Sequence, residues 1–155
     1  MMKYEQLKLS NQICFPVYAA SRLIIREYQP YLDKLGITYP QYLVLMTLWE
    51  QDGLTVNEIG SKLILKTNTL TPLLKRMEVM GLLTRQKAIQ DERKVIVKLT
   101  SKGKFMMEEA AEIPEKLVAD TDISLINIEE LIDLKNKLYQ VIEVLSKKQT
   151  LHANN

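Results

Sequence analysis

One cysteine and one histidine are all this sequence holds of the residues that build disulfides and most zinc sites. A lone Cys14 cannot close an internal disulfide. With His152 in the C-terminal tail, it falls short of the roughly four ligands that structural zinc takes, so no resident metal or cofactor is expected. Long apolar runs are missing too: stretches such as Tyr42 to Trp49 are far shorter than the ~20 residues a membrane span requires. The opening residues, MMKYEQLKLSNQ, are polar and mixed in charge, unlike a secretory signal. These absences point to a cytoplasmic chain in a reducing compartment, with no membrane partner. At 155 residues, 46% hydrophobic and 26% charged, the chain can bury one compact core but not two large ones.

The overall charge of +2 conceals an uneven distribution. Leu54 to Lys104 carries eleven Lys or Arg against four Asp or Glu, a balance of +7, and the remainder carries −5. A positive segment between acidic arms is the footprint of a face presented to a polyanion. Charge alone is equally compatible with an ordinary solvated surface.

Hydrophobic spacing predicts a chain mainly of helices. From Leu9 to about Tyr31, the residues Ile13, Val17, Ala20, Ile24 and Tyr28 recur at three and four, an amphipathic helix that either starts near Ile13 or bends at Pro16. Leu35-Gly36-Ile37 ends it. Thr38 with Gln41 reads as a capping box for a helix to about Glu50, and Thr55 with Glu58 as a second one opening a helix through Leu63. A third helix begins between Thr67 and Thr69 and stops at Met80 before Gly81, burying Leu70, Leu73, Leu74 and Met77. A start at Thr69 leaves Pro72 in the first turn, where its missing N–H costs nothing. Two strands, Leu82–Gln86 and Val95–Leu99, flank a charged loop. A single helix over Ser101–Asp120, a last one over Asn127–Lys147 and a disordered tail complete the expectation.

Helix, turn, helix, strand, charged loop, strand is the order of a winged helix-turn-helix. In that motif the second helix enters the major groove, where its N-terminal side chains meet base edges. Here it presents Asn68, Thr69, Thr71, Lys75 and Arg76. Asn pairs with adenine, hydroxyls suit bases or phosphates, and the Lys-Arg pair suits phosphates or guanine. The loop offers Lys87, Arg93 and Lys94 to the minor groove or backbone.

Gly53-Leu-Thr-Val-Asn-Glu-Ile-Gly60, Leu70-Thr-Pro-Leu-Leu-Lys-Arg-Met-Glu78, Gly81-Leu-Leu-Thr-Arg85 and Asp91-Glu-Arg-Lys-Val-Ile-Val-Lys-Leu-Thr-Ser-Lys-Gly103 resemble MarR-family regulators over nearly the whole chain. The resemblance implies a homodimer on double-stranded DNA, reading a pseudo-palindromic operator whose half-sites lie about one helical turn apart. Residues 1–36 and 101–148 would form the dimerisation region, 37–100 the DNA-binding region and 149–155 a loose tail. Arg93 would enter the minor groove and Asp91 would hold the wing in shape. In this sequence Lys66 stands where the family favours an acidic residue, and Thr67-Asn68 replaces a Ser-Gly pair. Lys66 strengthens phosphate contact but opposes the helix dipole.

Within that family, Leu9-Ser-Asn-Gln-Ile-Cys14-Phe, Tyr18-Ala-Ala-Ser-Arg22 and Leu35-Gly-Ile-Thr-Tyr-Pro-Gln-Tyr42 resemble the OhrR-type organic-hydroperoxide repressors. The resemblance implies that Cys14 is the sensor, hydrogen-bonded to Tyr28 and Tyr39, with organic hydroperoxide and a small thiol as effectors. Cys14 and Tyr28 lie about 21 Å apart along a straight helix, so a contact requires the partner chain's tyrosines. Tyr18 is the nearest same-chain hydroxyl. Free cysteine is also a common space-filler, and two other readings stand beside the sensor. One is a regulator released by a small apolar or phenolic ligand, with Cys14 incidental. The other, a thiol peroxidase, lacks any dedicated means of recycling the oxidised cysteine.

Overall fold

The computed structural model describes residues 4–120 and 127–153, which fall into two compact units, Met1–Leu117 and Val118–Asn155. In the first unit, 3-10 turns at Glu5–Leu7 and Leu9–Asn11 precede α1 (Cys14–Leu35) and α2 (Tyr39–Glu50). Strand β1 (Leu54–Thr55), α3 (Val56–Leu63), α4 (Thr67–Val79), β2 (Leu83–Lys87), β3 (Val95–Leu99) and α5 (Ser101–Ala110) follow. Helix α6 (Ile113–Asp120) comes next, and α7 (Ile128–Ala153) lies in the second unit.

The structure decides the points that the sequence left open and departs from the expectation at others. Helix α1 starts at Cys14, so Pro16 sits in its first turn, where no intrahelical donor is lost. It also runs on to Leu35 and ends on Gly36 in the left-handed region at φ 66°. Helix α4 starts at Thr67, the earlier end of the expected range. Pro72 therefore lies inside it and withholds the donor that the exposed Asn68 carbonyl would otherwise receive. The stretch Ser101–Asp120 forms two helices rather than one, broken at Ala111 and Glu112. Pro114 supplies the reason, since it cannot donate to the Ala110 carbonyl and its ring crowds it. Helix α7 continues to Ala153, well into the segment expected to be a disordered tail; the last two residues lie outside the described ones.

A three-stranded antiparallel sheet, ordered β1-β3-β2, replaces the simple hairpin. Leu54 pairs with Val97 and Leu83 with Leu99. Leu45 and Leu48 of α2, Ile59 of α3, and Leu70, Leu74 and Met77 of α4 share one core with Leu54, Leu83 and Val97 of the strands, all of them buried. Both expected capping boxes are built. The Thr38 N–H donates to Gln41 Oε1 at 2.8 Å, and Thr55 exchanges bonds with Glu58 in both directions. Gly60 allows α3 to approach the turn that follows, because a Cβ there would stand 2.8 Å from the Leu65 carbonyl oxygen. In that turn Ile64 takes a left-handed conformation, φ 56°.

Glu78 and Arg85 tie the end of α4 to β2. Arg85 donates to Glu78 from its backbone N–H at 2.9 Å and from Nη2 at 2.7 Å. The Arg85 hydrogen bonds hold the Glu78 carboxyl below the ordinary carboxylate range, against a smaller opposing effect of desolvation. A depressed folded value means the pair stabilises the fold above the ordinary range, and that contribution is lost as pH falls through it. Arg85→Gln should therefore unfold at lower urea than wild type near about pH 7, with the gap narrowing towards about pH 3. A gap independent of pH would show that the ion pair is not its source.

Helix α7 of the second unit is amphipathic. Leu131, Leu134, Leu138 and Ile142 line one shallow apolar groove, and the helix opens on Asn127, whose Oδ1 accepts from the Glu129 N–H at 2.8 Å. Among the described residues no helix is long and apolar enough to cross a membrane.

Candidate nucleic-acid interface and thiol site

Helix α4 buries one face and presents the other. Leu70, Leu73, Leu74 and Met77 face the core, while Lys66, Thr67, Asn68, Thr69, Lys75 and Arg76 are exposed. Thr71, expected to face outward, is half-buried. It lines a cleft with Thr55 and Asn57 at the start of α3, Thr67, and Arg93 and Lys94 from the loop after β2. The cleft gathers hydroxyls, an amide and three cations beside two helix N-termini, the chemistry of a phosphate seat. Thr55 and Asn57 were not singled out from the sequence, although the capping box at Thr55 marked that helix start. Arg85, on the cleft's wall, was missed because its role depends on the turn after α4.

The β2–β3 loop is stiffened from within. The Ala88 N–H donates to the Lys94 carbonyl at 2.8 Å, and the Lys94 N–H to the Asp91 carbonyl at 2.9 Å. The Asp91 carboxylate accepts from the Arg93 N–H at 3.1 Å. Asp91 thus folds the loop, while the Arg93 side chain projects with 96% of its surface exposed. Lys87, at the end of β2, lies 3.8 Å from Glu92 across the loop.

Cys14 is the first residue of α1 and is exposed. Around it Ile13, Phe15, Val17 and Tyr18 are exposed too, so the apolar stripe expected to be covered is open along this end. The Tyr18 hydroxyl is held by Arg22, which donates to it at 3.4 Å. At the far end of the same unbroken helix, Tyr28 meets Tyr39 edge-to-face with ring centres 5.3 Å apart. Tyr42 adjoins both, and Trp49 packs 6.1 Å from Tyr42. The structure therefore brings Tyr28 and Tyr39 together but leaves Cys14 and Tyr18 at the other end of α1. Burial, and then the neighbouring Tyr28, push the Tyr39 phenol above its ordinary value. It keeps its proton at neutral pH and remains a hydrogen-bond donor.

The SarA/Rot transcriptional-regulator family matches residues 26–110. The organic hydroperoxide resistance transcriptional regulator of Bacillus subtilis (strain 168) is 47% identical over 146 residues, 94% of this chain and 97% of its own length. The chain is a MarR-type winged-helix transcriptional regulator. Such proteins are DNA-binding regulators and not enzymes. Two solved structures of AbfR from Staphylococcus epidermidis resemble this MarR-type chain along almost all of its length. Reduced AbfR bound to DNA is 40% identical with a TM-score of 0.77, covering 93% of this chain and 99% of its own. Disulfide-formed AbfR is 41% identical with a TM-score of 0.66, covering 90% and 95%. AbfR is thus known both reduced on DNA and in a disulfide form.

Proposed function

We propose that this regulator is a homodimeric repressor, released from a pseudo-palindromic operator when an organic hydroperoxide oxidises Cys14. The observation that carries the reading is the placement of the chain's one thiol: exposed, at the head of an uncovered apolar helix face, in a chain 47% identical to a hydroperoxide-resistance regulator. Exposed apolar side chains on α1 and α7 supply the surface that a dimer buries.

The chemistry balances. The Cys14 thiolate attacks one peroxide oxygen, an S–O bond forms and the O–O bond breaks. The departing alkoxide takes a proton and leaves as an alcohol, and Cys14 becomes a sulfenic acid. A small thiol then condenses with it, forming an S–S bond and releasing water. No second cysteine exists in the chain to do this internally. In the dimer, Tyr28 and Tyr39 of each chain hold the partner's thiol, and the adduct displaces them. Thr67, Asn68, Thr69, Lys75 and Arg76 face the major groove, with Thr71 at the edge of the phosphate seat. Lys66, Lys87 and Lys94 meet phosphates, and Arg93, braced by Asp91, enters the minor groove.

Binding to the DNA upstream of this chain's own gene tests the reading. Wild type and Cys14→Ser should bind that fragment alike. Organic hydroperoxide with a small thiol should weaken wild type by roughly tenfold to a hundredfold, a coupling of about 1–3 kcal/mol, and leave Cys14→Ser unmoved. Equal release of both proteins would remove Cys14 from the mechanism. It would favour a small-ligand switch, for which the groove beside Tyr31, Phe105 and Ile113 in the first unit is the place to look.

A further inference from the structure

The loop between β2 and β3 carries one residue that phosphate contact does not use. Ile89 has its whole surface exposed, at 103% of the reference value, more than any other large apolar side chain among the described residues. It sits in the run Lys87-Ala-Ile-Gln-Asp-Glu-Arg-Lys94, whose other side chains beyond Ala88 are polar or charged. A flexible tip could fold such a side chain against its own loop. This tip is closed by the Ala88–Lys94 and Lys94–Asp91 backbone bonds and by Asp91 on Arg93, and Ile89 stands fully exposed on it.

We propose that Ile89 packs on the floor of the DNA minor groove and makes the regulator select A·T pairs at that step. The inference rests on the reading that Arg93 brings the loop into that groove. The minor-groove edges of A·T and T·A are nearly alike in hydrogen bonding, and G·C differs by the guanine 2-amino group. An isoleucine has no acceptor for that amino group. The N3 and O2 acceptors occur in both kinds of pair, so their desolvation does not discriminate; over G·C the side chain would also strike the 2-amino group and strip its water, whereas over A·T it meets the adenine C2–H. Arg93 alone favours a narrow, negative groove. Ile89 adds a steric and desolvation filter that a cation cannot supply. Its rigid presentation means little ordering entropy is lost on contact.

The probe is a duplex selected by the protein from a random-sequence pool. It is made in two forms, one with adenine replaced by 2,6-diaminopurine in the flanks that the loop covers. That replacement adds a minor-groove amino group and leaves the major-groove edge intact. Wild type should bind the modified duplex about tenfold more weakly, in line with the cost of one wrong base pair. Ile89→Ala should discriminate between the two by less than about twofold, with an unchanged salt slope, because no phosphate contact is removed. Arg93→Ala, measured alongside, should weaken binding and flatten the salt slope. If Arg93→Ala weakens binding while Ile89→Ala keeps full discrimination, the Ile89 inference is wrong and the placement of the loop stands. If Arg93→Ala and Ile89→Ala both behave as wild type, the loop is not in the groove and both readings fall.

Discussion

Mixed dimers of two inactive variants are expected to regain half of the hydroperoxide response. One variant is Cys14→Ser, and the other carries Tyr28→Phe and Tyr39→Phe with its cysteine intact. Each alone should be strongly impaired, the first because it has no thiol and the second because the thiol has lost its phenol donors. The geometry explains the recovery. Helix α1 is unbroken from Cys14 to Leu35, and fourteen residues of helix place Cys14 about 21 Å from Tyr28. Tyr39 stays with Tyr28 through their ring contact. If the tyrosines serve the partner's thiol, a mixed dimer contains one site with both a cysteine and two tyrosines. If each thiol used its own chain's tyrosines, no intact site would form. Rates of Cys14 modification in purified mixed dimers distinguish the two: all of the thiol present, one per dimer, should react at the wild-type rate, or none should.

Gly103→Ala is expected to destabilise the regulator by about 3 kcal/mol, a large share of the roughly 5–15 kcal/mol that holds a typical domain folded. Helix propensity argues the other way, since alanine gains up to about 1 kcal/mol over glycine inside a helix. Packing decides the sign. A Cβ on Gly103 would lie 2.1 Å from the Leu82 carbonyl oxygen and 3.1 Å from Leu99 Cδ2. The Leu82 oxygen cannot swing away, because it accepts from the Thr100 N–H at 3.1 Å. Thr100 Oγ1 donates to the Gly81 carbonyl at 2.7 Å and accepts from the Gly103 N–H. Trp49 Nε1 adds a bond of 2.9 Å to the Gly103 carbonyl. Urea denaturation checks this, with Ser101→Ala on the exposed side as a control expected within about 0.5 kcal/mol of wild type. A Gly103→Ala midpoint at or above wild type would mean the α5–β2 contact can open freely.

That contact also explains why some of the molecule is legible in the sequence and some is not. Thr38 with Gln41 and Thr55 with Glu58 are readable because a cap is settled within four residues. The stripe of Leu70, Leu73, Leu74 and Met77 is readable because one helix face meets one core. Strand β1 is not, since two residues carry no period and exist as a strand only through pairing with Val97 and Ile96. The break before α6 lies beside Pro114, a local signal that the expectation of one helix over Ser101–Asp120 passes over. Pro72 left the start of α4 open between Thr67 and Thr69, and the structure places it at Thr67. At the thiol site, residue types and positions were legible, but Tyr28, Tyr39, Tyr42 and Trp49 form one aromatic cluster only in three dimensions. Arg85 and the pair Thr55 and Asn57 belong with them, reaching the cleft through the fold.

The most direct measurement follows DNA release and Cys14 chemistry in one sample. Regulator bound to a fluorescent operator receives less than one equivalent of an organic hydroperoxide with a small thiol present, while anisotropy reports release and intact mass reports the protein. The account predicts that the released fraction rises in step with the fraction of chains carrying one small-thiol adduct, mapped to Cys14. Release from chains whose Cys14 is unmodified, or full modification with the DNA still held, would contradict it.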